Sequence, residues 1–154
     1  MEAIVQKILE KLNHQTYAAK MTACHPQAHH LPALKRDIQM IRNGLDFYTI
    51  ETEYMASSLI SSSYPISFIE GMSITFLELG LFDLSIYLYC DSETELRRRE
   101  NRDVIERGVK LTDLKEFHPQ RRIQYERFMH PYSEHFDVVI NTSNNNFVLE
   151  KFEV

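Results

Sequence analysis

The chain has 154 residues, 17 lysines and arginines against 22 aspartates and glutamates, and a formal charge of −5 at neutral pH; this is the size of one ordinary domain with a single buried core. Its acidic balance argues against a nucleic-acid binder that works by neutralising a phosphate backbone, while leaving room for a local basic patch. Cys24 and Cys90 stand far apart without metal-like spacing, which predicts free thiols in a reducing compartment and hence a cytoplasmic protein.

The first residues, MEAIVQKILEKL, place Ile4, Val5, Ile8, Leu9 and Leu12 at helical spacing with Glu2, Lys7, Glu10 and Lys11 between them, which predicts an amphipathic helix. No basic end precedes an apolar signal core, and the most apolar region is interrupted by Glu70, Glu78 and Asp83. Neither secretion nor membrane spanning is expected. From His14 to His30 the periodicity disappears; Cys24, His25, His29 and His30 read as part of a polar connecting loop rather than a zinc site, because zinc needs ligands converging from a fixed scaffold. Pro32 opens a second predicted helix in which Leu31, Leu34, Ile38 and Ile41 share a face and Gly44 ends the run.

The alternating, aromatic-rich LDFYTIETEY predicts an extended segment or strand, and the serine-rich SSLISSSYP a loop. ISFIEG reads as a short buried strand ending at Glu70 and Gly71, and LSIYLYC as another ending at Asp91. Ser92 with Glu95 has the spacing of a capping box, so a helix is expected to carry the next residues away from that strand. QRRIQYERFMHP predicts a helix stopped before Pro131, FDVVI a further strand, and FVLEKFEV a terminal β-edge. Strands alternating with helices predict an α/β fold with a reduced, mainly parallel sheet of three to five strands flanked by helices. Ligands of such folds sit at the carboxyl ends of strands, so Glu70 and Asp91 become rim residues, as helix caps or ligand contacts.

Chemistry concentrates in RRENRDVIERG, Arg98 to Gly108, where four arginines and three acids share one short segment. A guanidinium stays charged and offers a planar fork of donors, so several on one helix suit phosphate oxygens. The plainer alternative is a solvated ladder in which Arg98, Arg99 and Arg102 pair with Glu95, Asp103 and Glu106. No GxxxxGK[ST] phosphate loop occurs in the 154 residues.

These segments resemble the uridine kinase and phosphoribulokinase group of P-loop kinases. HPQAHHLPALKRDIQMIRNG looks like the helix leading to that group's nucleoside-binding hairpin, FIEG and FDLSIYLYCD like two of its strands, RRENRDVIERG like its lid helix, and QYERFMHPYSEHFDVVI like its last helix and strand. The likeness spans residues 25–146 of a single expected domain, with 1–24 as a divergent helix and linker and 147–154 as a terminal strand. It implies a P-loop-kinase-like fold in which Arg102 and Arg107 face phosphate, Arg99 faces the acceptor side, and Asn145 lies in the loop that touches adenine. Glu53, Tyr54 and Glu70 become candidates on the substrate side. Where that group has Tyr-Asp-Phe and His-Ser-Arg in its hairpin, this chain has Thr52, Glu53, Tyr54 and Ser57, Ser58, Leu59; Phe117 and Val109 stand where it has a glutamine and an arginine, respectively, after the lid. Without a phosphate loop, its lysine and its magnesium-binding hydroxyl, no residue is assigned as catalytic and no metal site is assigned.

Three functional readings follow. The first is a degenerate, non-catalytic relative with a regulatory or partner-binding role. The second is a truncated or split part of a genuine nucleoside kinase, with ATP and magnesium as cofactors only in that case. The third is an unrelated α/β module that binds an anionic metabolite. The expected partners are a nucleotide or phosphorylated small molecule and a second copy or partner chain covering an exposed sheet edge; neither nucleic acid nor a membrane is expected.

Overall fold

The computed structural model describes residues 21–51 and 55–154. Helix α1 (Leu31–Arg42) forms where the apolar spacing predicts it and buries Ile38. Its end is chemically defined: Gly44 takes φ +67°, its N–H donates to the Ile41 carbonyl at 3.0 Å, and the Leu45 N–H donates to the Met40 carbonyl at 2.9 Å. That pair of reversed bonds is a Schellman stop, and the left-handed residue at its centre is favourable for glycine.

The chain then turns into a small antiparallel hairpin of β1 (Phe47–Tyr48) and β2 (Leu59–Ile60). The serine-rich stretch is therefore not wholly loop, because Leu59 and Ile60 supply the second strand. ISFIEG departs further from expectation. Residues 65–70 form no strand, Phe68 is 95% exposed and Ile66 70%. A strand requires a neighbour for its N–H and C=O groups, and among the described residues none pairs with this segment.

The main sheet contains β3 (Ile86–Tyr89), β4 (Val138–Asn141) and β5 (Val148–Phe152), in that order across the sheet. β3 and β4 run parallel, whereas β4 and β5 are antiparallel. The sheet is thus small and mixed rather than mainly parallel, because the terminal segment returns beside β4 instead of crossing over. Ser85 fastens β3 to β4 at their start: its N–H and hydroxyl both donate to Asp137 Oδ2 at 2.7 Å. These bonds from Ser85 hold the Asp137 carboxyl below its ordinary value.

Between β3 and β4 lie α2 (Ser92–Arg99), a π-helical continuation over Glu100–Glu106, and α3 (Leu111–Phe128). The N-cap is Asp91, not Ser92; Asp91 Oδ1 accepts the Thr94 N–H at 2.7 Å, which satisfies a helix-start donor. Backbone bonding to Thr94 leads the lowering of the Asp91 carboxyl. Helix α3 begins at Leu111, well before Gln120, and accommodates Pro119 internally; it ends at Phe128, and Pro131 falls in a following 3₁₀ segment. Tyr87, Phe136 and Val139 form the buried cluster between sheet and α3, joined by Leu79, Tyr89 and Tyr125. Burial, then the hydrogen bond with Tyr87, keeps the Tyr125 hydroxyl far above its ordinary pKa, so it acts as a neutral core group.

Candidate anion-binding site

At the carboxyl end of β3, side chains from three elements converge. Cys90, Glu95, Arg98, Arg99, Arg102 and Arg121 line a cavity of about 250 Å³. Four arginines against one glutamate make a strongly cationic lining, and the volume suits a phosphate group better than a whole nucleotide.

The arginines are anchored in a particular way. Arg99 Nε donates to Asp103 Oδ2 at 3.0 Å and Arg102 Nε to Asp103 Oδ1 at 2.8 Å. Arg121 Nε donates to Glu95 Oε1 at 2.7 Å. Each carboxylate thus grips the Nε edge of a guanidinium. Arg99 Nη1 is buried without a hydrogen-bond partner among the described residues, and Arg121 Nη2 donates to Met72 Sδ at 3.5 Å. A guanidinium fixed from behind by an acid, with Arg99 Nη1 left unpaired, suits an incoming oxyanion.

Asp103 is the organising acid, 5% exposed and also contacted by Arg107 Nη1 at 3.4 Å. Burial alone would raise its pKa, but the hydrogen bonds from Arg102 and Arg99 outweigh burial and hold the carboxyl below its ordinary value. The π-helical turn delivers this geometry, since the widened helix carries Arg102 and Asp103 past Arg99 before Gly108, at φ +67°, ends it. Glu95 binds Arg121 and, at 3.5 Å, Arg122, so the second acid joins α2 to α3. Burial raises the thiol pKa of both Cys24 and Cys90, which keeps them protonated near neutral pH.

The other sequence candidates fall in different places. Arg98 spends its fork on Thr142, donating to Oγ1 at 2.9 Å and to the carbonyl at 2.7 Å, and so ties α2 to the end of β4. Of the alternative charge ladder, the pairs of Arg99 and Arg102 with Asp103 form, whereas Arg98 goes to Thr142 and Glu95 to Arg121 and Arg122. Arg107 lies at the outer side of Asp103 and is not part of the cavity lining. Glu70 is exposed and outside the lining, although Met72, two residues on, reaches Arg121. Asp91 is a helix cap. Asn145, at φ +57°, belongs to a loop held against α2 by Asn144 N–H donating to Thr94 Oγ1 at 3.1 Å. Glu53 and Tyr54 lie outside the described residues. Sequence reasoning missed Arg121 and the gripping role of Glu95; the available signal was the Gln-Arg-Arg run, read there only as helix.

A second cavity of about 560 Å³ lies along α3, between Ser92, His118, Pro119, Ile123 and Arg127. It is wider but lined mostly by hydrocarbon, and its polar features include the Arg122–Glu126 ion pair and a 2.9 Å bond between Ser92 Oγ and His118 Nε2. Among the described residues no group of three or more His, Cys, Asp or Glu is arranged to hold a metal ion, and no helix is long and apolar enough to cross a membrane.

The scaffold is α/β, with an arginine-bearing helix at the carboxyl end of a strand. The pattern of the Phosphoribulokinase / Uridine kinase family matches residues 2–148, and the chain belongs to that family. It is 28% identical over 127 residues to the chloroplastic phosphoribulokinase of Arabidopsis thaliana, covering 79% of this chain and 32% of the relative. It is 30% identical over 74 residues to a uridine kinase of Halobacterium salinarum, covering 47% and 33%. A uridine kinase of Lactobacillus helveticus is 25% identical over 137 residues, covering 84% and 65%. The chain thus spans about a third of the first two relatives and under two thirds of the third.

Proposed function

We propose that this chain grips the phosphate of a nucleotide or phosphorylated small molecule through Arg99, Arg102 and Arg121, and does so as a non-catalytic relative of the family's kinases. The observation that carries the reading is the pair of acid-anchored clusters, which fix three guanidiniums by Nε around a phosphate-sized cavity. Each charge-assisted bond to a bound oxyanion contributes about 1.5–3 kcal/mol. The non-catalytic part is supported by two further features. No GxxxxGK[ST] segment occurs in the 154 residues, and both acids of the site are engaged by arginines instead of standing free as a base.

A second reading, that the chain works with a phosphate-loop segment as part of a nucleoside kinase using ATP and magnesium, draws on its partial span of the relatives and on β3, which among the described residues has a strand on one side only. Calorimetric titration with inorganic phosphate and with ATP separates these readings when paired with an assay for uridine phosphorylation. The expected result is binding that weakens at least about tenfold, or about 1.4 kcal/mol, in Arg102→Ala and Arg121→Ala, with no phosphorylated nucleoside formed. Unchanged binding in both variants overturns the phosphate site. Nucleoside phosphorylation that disappears in Arg102→Ala overturns the non-catalytic reading.

A further inference from the structure

The cavity along α3 holds a pair of side chains that the arginine site does not use. Ser92, at the start of α2, is exposed, and its Oγ lies 2.9 Å from Nε2 of His118, which is only 6% exposed. The other ring nitrogen of His118, Nδ1, is buried without a hydrogen-bond partner among the described residues. A neutral imidazole carries one proton, on one nitrogen or the other. Were it on Nδ1, a buried N–H would stand without an acceptor, an arrangement rarer in folded proteins than a bare lone pair. The proton is therefore assigned to Nε2, which donates to Ser92 Oγ. The Ser92 O–H is then left to donate outward, into the cavity that both residues line.

The charged residues of the lining divide in two. Arg122 is spent on Glu126, on Glu95 and on the Cys90 carbonyl, so its charge and that of Glu126 cancel. Arg127 is exposed, packs over the Phe128 ring at 5.4 Å and meets no acid among the described residues. Pro119, Ile123 and the arginine stems supply the hydrocarbon wall. One uncompensated cation and one hydroxyl donor thus face an apolar space of about 560 Å³, a volume ordinary for small-molecule sites. We propose that this cavity is a second ligand site, separate from the arginine cluster, and that it takes a small carboxylic acid with an apolar body. Its carboxylate pairs with Arg127, the Ser92 hydroxyl supplies a second donor, and the body leaves water for the wall at Pro119 and Ile123. Two donors suit the two oxygens of a carboxylate, whereas a phosphate, with more oxygens and more charge, suits the four-arginine cavity. The site does not depend on the phosphate reading.

Octanoate titrated into the full chain, followed by NMR at the Ile123 methyl and Arg127 Nε–H resonances, tests the proposal. Both signals are expected to shift and saturate, and excess inorganic phosphate is expected to leave the titration unchanged. The dissociation constant rises about tenfold in Arg127→Gln and several-fold in Ser92→Ala, and the neutral octanamide and the short acetate each bind at least about tenfold more weakly than octanoate. Ser92 and Arg127 are both exposed, so these substitutions leave the fold intact. Long-range nitrogen–proton correlation on His118 is expected to place the ring proton on Nε2. Shifts that never saturate, displacement of octanoate by phosphate, equal binding of octanamide, or unchanged affinity in Arg127→Gln overturns the site. A ring proton on Nδ1, or unchanged affinity in Ser92→Ala, overturns the part given to the Ser92 hydroxyl.

Discussion

Two segments invited the same expectation and met different fates. ISFIEG and LSIYLYC both read as short apolar strands ending in an acid. In the structure the second is β3, hydrogen-bonded to β4 and followed by a capped helix, while the first is irregular and exposes Phe68 almost completely. Their compositions are alike, so composition did not decide the outcome. β3 has β4 beside it and α3 beneath it, and an apolar run becomes a strand only when its backbone bonds and its side chains both have somewhere to go. The same contrast positions the candidate site, which grew at the supported strand end and drew nothing from Glu70.

The largest effect that tests this contrast is in the core. Phe136→Ala is expected to cost about 3–5 kcal/mol in chemical denaturation, because it empties the cluster under α3, whereas Phe68→Ser stays within about 0.5 kcal/mol. Equal losses would show that ISFIEG is packed after all.

Next comes Asp103→Ala, with an expected loss of about 2 kcal/mol, since the partly buried Arg99 and its exposed neighbours lose a shared acid. Its pH dependence has a definite sign. The folded carboxyl lies below its unfolded value, so the contribution is present above the unfolded value, about pH 4, and is lost as pH falls through the folded one. Thermal melts of wild type between neutral and acid pH therefore show an acid limb, and Asp103→Asn flattens it. A smaller loss is expected for Asp91→Ala, about 1 kcal/mol for a lost helix cap; a loss confined to phosphate binding, with stability intact, would make Asp91 a ligand contact instead.

Much of the fold was legible from local chemistry. The α1 stop at Gly44, the strand LSIYLYC, FDVVI and the terminal edge all follow from periodicity and turn residues, and the segment RRENRDVIERG stood out by its arginines. What stayed hidden depends on distant partners. Glu95 reads locally as half of a capping box, but its ion pairs are with Arg121 and Arg122 on another helix. Arg98 and Arg99 are adjacent and chemically identical, yet one is tied to Thr142 and the other turns toward Asp103. A π-helical turn also shifts every later residue around the axis relative to a regular helix, so the side that Arg102 and Arg107 occupy was not available from spacing alone.

The central claim is that Arg99, Arg102 and Arg121 form one phosphate site held from behind by Asp103 and Glu95. It is tested most directly by following the arginine Nε–H resonances by NMR while inorganic phosphate is added. The account predicts that the signals of Arg99, Arg102 and Arg121 shift together and saturate, while Arg98, committed to Thr142, stays in place. Shifts no larger than those of the surface residues Arg36 and Arg42 would contradict it.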